Sequence, residues 1–272
     1  MKLTNIGCLL LLLVSPVILT AQSAPVVLNS RSYGAGGAGA TFQDIHAAYG
    51  NQAGLTALTG WAVQATASRR FGLAELAQIG MAIAMPLQAG GTVFAQARSF
   101  GFDAYRESML AAGYARRLSA GLSVAAQFNL YQFNIDGYGT SFDPGYELGL
   151  LQHVSPVLRM GLQVINPVPI PASDGIELPS VFTLGLAYAP APDITVFAEV
   201  EKHAEFEPRV KLGVEWDLHE ALRLRAGGSS GPGMVHAGLS YRFPHGLGID
   251  AAAAHHPSLG MTPVVGLTYN QQ

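Results

Sequence analysis

The sequence predicts an all-β protein: a transmembrane β-barrel of the outer-membrane type, with about 14 antiparallel strands and an N-terminal plug segment. Three features predict this fold class. An export signal stands at the N-terminus, apolar and polar residues alternate in repeated short segments, and the connections between these segments differ systematically in length. Together they divide the chain into a signal peptide (1–21), a plug segment (22–59) and a barrel (60–272).

Residues 1–21 have the composition of a cleavable export signal, with a positive start at Lys2, an apolar run at 9–13 and a small residue, Ala21, at the end. The apolar run is too short for a helix that spans a membrane. Cys8 is the only cysteine, and apolar residues follow it, whereas a lipid-anchored N-terminus would place polar residues there. We therefore expect a mature chain without disulfides or cysteine chemistry.

The composition is apolar without being helical. Hydrophobic residues make up 49% of the chain and charged residues 12%, against about 25% charged in ordinary soluble domains. No stretch after the signal peptide has the 18 or so consecutive apolar residues of a membrane-spanning helix. A barrel with a lipid-facing outer surface accounts for both facts. The net charge of −3 and the lack of a basic stripe argue against a nucleic-acid partner.

Each predicted strand carries one apolar and one polar face, because successive side chains of a strand point in opposite directions. Leu212 and Val214, for example, alternate with Lys211 and Glu215. We expect the apolar face to meet lipid and the polar face to line the lumen. The predicted strands are 60–69, 76–86, 91–100, 105–117, 121–134, 144–154, 157–166, 179–189, 193–203, 207–218, 221–227, 233–243, 246–255 and 259–269.

The lengths of the connections between predicted strands alternate along the chain. Those after even-numbered strands are short, as at 155–156 and 219–220, whereas those after odd-numbered strands are on balance longer, as at 135–143 and 167–178. Outer-membrane barrels have short periplasmic turns and longer outside loops, so this pattern predicts a barrel in the outer membrane of a gram-negative bacterium. The alternative fold, an exported soluble β-sandwich, does not predict the parity.

The plug segment does not alternate, and it contains a glycine pattern. Gly34, Gly36 and Gly39 have the G-x-G-x-x-G spacing of dinucleotide sites. That fingerprint also needs a strand before it, a helix after it and an acidic residue about 20 positions later, but 56–66 contain no Asp or Glu. We interpret these glycines as positions of close backbone packing in a crowded lumen.

A family resemblance begins in the plug segment. The N-P-A-G-L motif near the start of FadL and PorV/PorQ proteins is resembled by five consecutive residues, Asn51, Gln52, Ala53, Gly54 and Leu55. Two later patterns of PorV/PorQ-like proteins are also resembled: G-L-x-x-x-N at 161–166 and L-P-x-x-F-x-x-G-L-x-Y at 178–188. The resemblance runs in order along nearly all of the mature chain. It implies a barrel of 14 strands whose N-terminal segment enters the lumen as a plug. Gln52 departs from the usual proline, and the chain is shorter than typical members.

The polar residues do not indicate an enzyme. His255 and His256 are adjacent, so a strand would point them to opposite faces, and no metal site is predicted. His236 and Ser240 lie on one predicted face but about 13 Å apart along the strand, too far for a nucleophile–base pair. We expect no catalytic residues, no cofactor and no metal.

Charged residues in the second half of the barrel are predicted to face the lumen. Because an unpaired buried charge is costly, they should pair, for example Glu215 with Arg223 or Arg225. Two interpretations remain open: a salt-bridge network that anchors the plug, or a polar wall along a pathway. The predicted network consists of Arg159, Lys211, Glu215, Asp217, Arg223, Arg225 and Arg242.

The resemblance implies two functions. The first is a non-enzymatic PorV/PorQ-type barrel associated with type IX protein secretion or surface-protein handling, whose partners would be outer-membrane lipid and a translocon or cargo protein. The alternative is a FadL-like channel for hydrophobic small molecules, gated by the plug; a structural or adhesive surface barrel is a third class. A FadL-type lateral exit requires a break in the wall, for which Pro263 and Pro208 are candidates, although we expect Pro208 to mark a strand end.

Overall fold

The computed structural model describes residues 29–88, 90–168, 170–171, 177–178, 180–204 and 206–271. In these residues, 14 antiparallel strands form a closed barrel in which sequence neighbours pair and the first strand pairs with the last. The predicted fold class is therefore confirmed. The signal peptide and residues 22–28 lie outside the described residues. None of the helices in the described ranges has the length and apolarity needed to cross a membrane.

The barrel strands are numbered in chain order together with two short strands in one connection. β8 (Ile170–Pro171) and β9 (Glu177–Leu178) pair with each other between β7 and β10 and lie outside the barrel wall. The barrel strands are β1 (Ala62–Arg69), β2 (Ala77–Pro86), β3 (Gly91–Phe102), β4 (Tyr105–Arg117), β5 (Leu122–Ile135), β6 (Gly139–Ser155), β7 (Leu158–Ile165), β10 (Val181–Ala191), β11 (Ile194–His203), β12 (Arg209–His219), β13 (Leu222–Ser229), β14 (Met234–Arg242), β15 (Leu247–His256) and β16 (Gly260–Asn270).

Each of the predicted segments corresponds to one barrel strand, but the predicted parity of the connections holds only in part. We call the end of the barrel where β1 begins and β16 ends the terminal rim, and the opposite end the far rim. The far rim has two long connections, 70–76 and 166–180. Its other connections have two to five residues, against two to four at the terminal rim. The predicted loop 135–143 is wrong, because residues there continue to alternate and extend β5 and β6 until only 136–138 form the turn.

The predicted orientation of the strand faces is confirmed. Leu212 is 55% exposed on the outer surface of β12, whereas its neighbour Lys211 is only 5% exposed. Most of the large apolar side chains on the strands are exposed in the same way, and most of the buried polar side chains belong to the inward positions. The outer surface is therefore one that lipid, rather than water, would cover.

Residues 29–59, which we call the plug, lie inside the barrel and contact its inward side chains. The plug contains a short α-helix (Ser30–Gly34) and two 3₁₀ turns (Ile45–Tyr49 and Gln52–Ala57). A side-chain oxygen caps the first turn of each by accepting a hydrogen bond from a backbone N–H, which satisfies a group that the lumen would otherwise leave unpaired. The capping residues are Asn29, Asp44 and Asn51.

Glycines let the plug backbone touch the barrel wall. A Cβ on Gly161 of β7 would fall far inside contact distance of the Ala40 carbonyl oxygen, and one on Gly213 of β12 would do the same at Ala35. From the plug side, Gly36 has φ +73° and its missing Cβ would meet the wall backbone. The structure thus agrees with close packing, rather than nucleotide binding, as the reason for this glycine.

Candidate functional site

Two clusters of polar contacts join the plug to different parts of the wall. The first, which we call the ionic anchor, is built on Arg31. Its Nε and Nη2 donate to the two carboxylate oxygens of Glu215 at 2.8 and 2.6 Å, a bidentate geometry, and its Nη1 donates to Asp44 at 2.5 Å. Charge-assisted, bidentate pairs of this kind are among the strongest polar contacts in proteins. Arg31 is 8% exposed, so the pair is largely shielded from water.

His46 extends the ionic anchor to a second strand. Its Nδ1 lies 3.1 Å from Asp44 Oδ1 and its Nε2 lies 3.2 Å from Asp250 Oδ2 on β15. Burial by itself would lower the pKa of His46, but the two carboxylates outweigh it and raise this pKa to about 9. The same neighbours act in reverse on Asp44: burial opposes its charged form, but Arg31 and His46 hold its pKa well below its usual range. The imidazole is therefore a cation that joins the plug to the wall.

The structure brings four members of the predicted charge network together beside Arg31. Glu215 lies 2.7 Å from Arg225 Nε and 3.5 Å from Arg223 Nη1, and Arg223 also pairs with Asp217. Arg225 continues the network through a 3.2 Å contact with Asp250. One buried carboxylate, Glu215, thus faces three guanidinium groups, two from the wall and one from the plug.

Lys211 belongs to a neighbouring group that also touches the plug. Its Nζ donates to Glu199 at 2.8 Å and to Glu201 at 2.7 Å, both on β11. The second oxygen of Glu199 accepts the backbone N–H groups of Gly39 and Ala40 at 2.8 and 2.9 Å. A wall carboxylate therefore satisfies two backbone amides of the plug.

The network differs from the prediction at its edges. Arg159 and Arg242 form no salt bridge with the described residues, and Arg159 Nε has no hydrogen-bond partner among them.

Sequence reasoning missed the participants on the plug, because nothing in a non-alternating segment shows which way a side chain points. It could have found Glu199 and Glu201, which lie on the inward face of a clearly alternating strand. The missed residues are Arg31, Asp44, His46, Glu199, Glu201 and Asp250.

The second cluster, which we call the amide anchor, surrounds Glu147 on β6. This carboxylate is 4% exposed and has only neutral amide donors in the described structure. Gln52 of the plug donates to it at 2.8 Å and Gln163 at 3.0 Å. Asn129 and Gln127 of β5 donate at 2.9 and 3.2 Å. The amide anchor thus holds its one charge with hydrogen bonds rather than with a counter-ion.

The plug motif at 51–55 lies next to this cluster. Asn51 Nδ2 donates to the carbonyls of Ala40 and Leu150 at 2.8 and 2.7 Å, so it ties two parts of the plug to β6. Gly54 has no room for a Cβ, which would collide with the Phe42 carbonyl. Ala53 and Leu55 are fully buried. Gln52, where the resembled families have proline, supplies the hydrogen bond to Glu147, which a proline side chain could not donate.

The remaining polar candidates have separate partners. His236 Nδ1 donates to the Tyr33 carbonyl at 2.8 Å and its Nε2 lies 3.2 Å from Ser229, while Ser240 donates to Asp250. No group of three His, Cys, Asp or Glu in the described ranges is arranged to hold a metal ion.

An apolar and aromatic patch lines the lumen toward the far rim. Met109 of β4 stands beside Tyr131 of β5 in the ladder, and both Met109 and Phe133 are 2% exposed. The rings of Tyr131 and Phe133 lie nearly parallel, at 17°, with centroids 6.4 Å apart. These three side chains, which we call the lumen aromatic patch, point inward above the plug.

The wall shows no break at the candidate prolines. Pro208 precedes β12 and marks a strand end. Pro263 lies within β16. The pairing of β16 with β15 continues through Pro263, which pairs with Ala253. The pairing of β16 with β1 ends one residue away, at Val264 and Ser68. The register shifts found in the described strands lie beside turns of the terminal rim. A kinked-strand exit is therefore not present in the described wall.

Solved structures of other proteins have the same architecture. No family model matches the chain. No curated protein matches it either. Among solved structures, the monoaromatic hydrocarbon channel CymD has a TM-score of 0.72 at 14% identity, covering 90% of this chain and 97% of CymD. The Ralstonia pickettii toluene transporter TbuX has a TM-score of 0.67 at 13% identity, covering 94% of this chain and 100% of TbuX. The chain has a FadL-type barrel fold.

A Pseudomonas aeruginosa FadL homologue agrees with this assignment, with a TM-score of 0.68 at 11% identity over 90% of this chain and 98% of the homologue. At such identities the likeness concerns the fold. It supports the FadL-type part of the resemblance noted in the sequence and adds no support to the PorV/PorQ part.

Proposed function

We propose that this protein is a channel of the gram-negative outer membrane for small hydrophobic molecules, and that the plug closes its lumen. The observation that carries the proposal is a FadL-type barrel whose lumen holds a buried N-terminal plug. Two of the compared proteins are described as a hydrocarbon channel and a toluene transporter. These likenesses favour the channel alternative over type IX secretion as the function of this chain.

The lumen aromatic patch is the proposed contact for the substrate. Ligand sites for apolar molecules are lined mainly by hydrophobic and aromatic side chains. Because Met109 and Phe133 are 2% exposed, a substrate would contact the patch only after these side chains move apart. The unbranched Met109 adapts its shape readily, and the rings of Tyr131 and Phe133 supply flat apolar surface. The patch therefore suits a small, flat, apolar molecule that arrives from the far rim.

The plug is the proposed gate, because the described wall is continuous beside it. A molecule that leaves the patch toward the terminal rim meets the plug, which is held by the ionic anchor, the amide anchor and single hydrogen bonds such as those from Gly39 and Ala40 to Glu199. Passage requires that part of the plug be released from these contacts. The PorV/PorQ-type alternative would instead use the barrel as a docking partner for a translocon or cargo protein.

The proposal is tested by uptake of a radiolabelled monoaromatic hydrocarbon into a gram-negative host that expresses the protein, against the same host with an empty vector. We expect faster uptake with the protein and a several-fold higher half-saturation concentration for Phe133→Ala. Phe128→Ala is the matched control, because Phe128 lies on the same strand but faces outward, 58% exposed. Heat-modifiable migration in gels checks that each variant has folded.

Equal uptake with and without the folded protein would refute the channel. A stoichiometric complex with a translocon or cargo protein after gentle extraction, combined with no gain in uptake, would favour the secretion hypothesis instead.

A further inference from the structure

A broad apolar groove of about 750 Å³ crosses the outer surface of β1 to β4, β15 and β16. Its lowest parts lie over β1 and β3, whose outward side chains are small, and the larger outward side chains of β2 stand between them. The low parts include Ala65, Ala67 and Ala97, whereas Ile79 and Met81 form the ridge of β2, and Leu110 and Val265 stand at the edges on β4 and β16.

Two outward arginines stand above this groove at the far rim. Arg69 continues the outward column of Ala65 and Ala67 on β1, and Arg106 ends the outward column of β4 that contains Leu110. Both are exposed. Arg69 lies two residues beyond Ala67, so its Cα is only about 7 Å above the floor of the groove.

The register puts these arginines at one level. Arg69 on β1 pairs with Ala77 on β2. Ala77 is next to Gly101 on β3, because the following pair in that ladder is Gln78 with Phe100. Gly101 in turn pairs with Arg106 on β4. Three strand spacings separate the arginines, about 14 Å. The two residues between them in this row, Ala77 and Gly101, carry no large side chain.

We propose that this surface binds a phosphorylated lipid of the outer leaflet, with its phosphate groups on Arg69 and Arg106 and its acyl chains in the groove. Guanidinium groups bind phosphate with paired, charge-assisted hydrogen bonds. The apolar groove directly below supplies the complement for the chains, which a free phosphate does not have. The inference rests on the proposed outer-membrane placement, with the far rim outside, and does not depend on transport.

Two carboxylates stand near the arginines and do not close the site. Asp103 lies 3.2 Å from Arg106, but the two side chains are 104% and 51% exposed, and exposed pairs of this kind contribute little. Glu75 is exposed in the β1–β2 connection. A doubly charged phosphate competes with a single exposed carboxylate for the same guanidinium.

Native mass spectrometry of the full-length protein, with lipid A added in a neutral detergent, tests the proposal. We expect retained lipid A on the unmodified protein, and a roughly tenfold weaker apparent affinity for the double variant Arg69→Gln, Arg106→Gln, since hydrogen bonds to charged groups are lost. Arg116→Gln is the matched control, because Arg116 is an exposed arginine of β4 at the terminal rim. Ala97→Leu, which fills the groove without changing charge, should also weaken retention.

Unchanged affinity in the double variant would overturn the proposal, and so would an equal loss in Arg116→Gln. Inorganic phosphate and phosphatidylcholine serve as further probes. Competition by inorganic phosphate alone, with no effect of Ala97→Leu, would show an anion site without a lipid site and would also overturn it. Retention of lipid A by a protein that gives no hydrocarbon uptake would leave this inference standing while refuting the channel.

Discussion

The two anchors hold the same plug by different physical means. The ionic anchor joins Arg31 and His46 of the plug to wall carboxylates, of which Glu215 serves three guanidinium groups. The amide anchor places Glu147 among four side-chain amides and no cation. Removing a charged side chain from the ionic anchor leaves its partners of opposite charge buried and unpaired, whereas removing the charge of Glu147 from the amide anchor leaves only neutral groups. The ionic anchor should therefore be the more sensitive to mutation and to pH.

The largest effect is expected from Glu215→Ala. Arg31, Arg223 and Arg225 would lose their shared partner, and breaking a buried pair in this way costs about 3–5 kcal/mol. We expect the plug to detach at one side, seen as higher single-channel conductance and as protease cleavage at Arg31. Glu220→Ala, at an exposed turn on the same side of the barrel, should change neither. Equal conductance in the two variants would contradict a role of Glu215 in holding the plug.

Alkaline pH should weaken the same anchor. The pKa of His46 is raised to about 9 in the folded protein, above its ordinary value of about 6.5. Its contribution is therefore complete below about pH 6.5 and disappears as the pH rises through about 9, a loss of up to roughly 3 kcal/mol. Conductance measured from pH 6 to 10 should rise at the alkaline end. His46→Gln should remove that rise; a rise that persists in this variant would assign it to another group.

Gly161→Ala tests the contact between the plug and the wall without changing charge. The new Cβ would collide with the Ala40 carbonyl, so the plug and β7 must move apart, at a cost of about 1–3 kcal/mol for overpacking. Protease susceptibility of the plug should increase. Gly233→Ala is the matched control, since a Cβ there meets nothing within 4 Å. If both variants resist protease alike, the close approach has no role in retaining the plug.

Glu147→Gln should have the smallest effect. The side chain keeps its shape, but its new amide group replaces an oxygen that accepts from two donors, so about 1–3 kcal/mol is lost where a donor stays buried without its acceptor. Denaturant unfolding should show a small decrease in stability with little change in conductance at any pH. A loss as large as that of Glu215→Ala would mean that the two anchors do not differ as proposed.

Local sequence periodicity is sufficient to predict the barrel, because a strand between lipid and a polar lumen must alternate. Val210, Leu212 and Val214 could face only lipid once Lys211 and Glu215 faced inward. The same rule failed at 135–143, where polar and glycine residues were interpreted as a loop although they continue the alternation. The pairing of Glu215 with Arg223 and Arg225 was predictable for the same reason, because neighbouring strands place inward side chains side by side.

The sequence by itself determined the strands, their outward faces and the part of the charge network that lies on adjacent strands, since these follow from a repeat of two residues. Only the tertiary structure decided that Arg31 and His46 meet Glu215 and Asp250, and that Gln52 meets Glu147. The plug has no periodicity from which the direction of a side chain can be inferred. Its partners are set by how a non-repeating backbone packs against glycines of a closed wall, which is a property of the whole barrel.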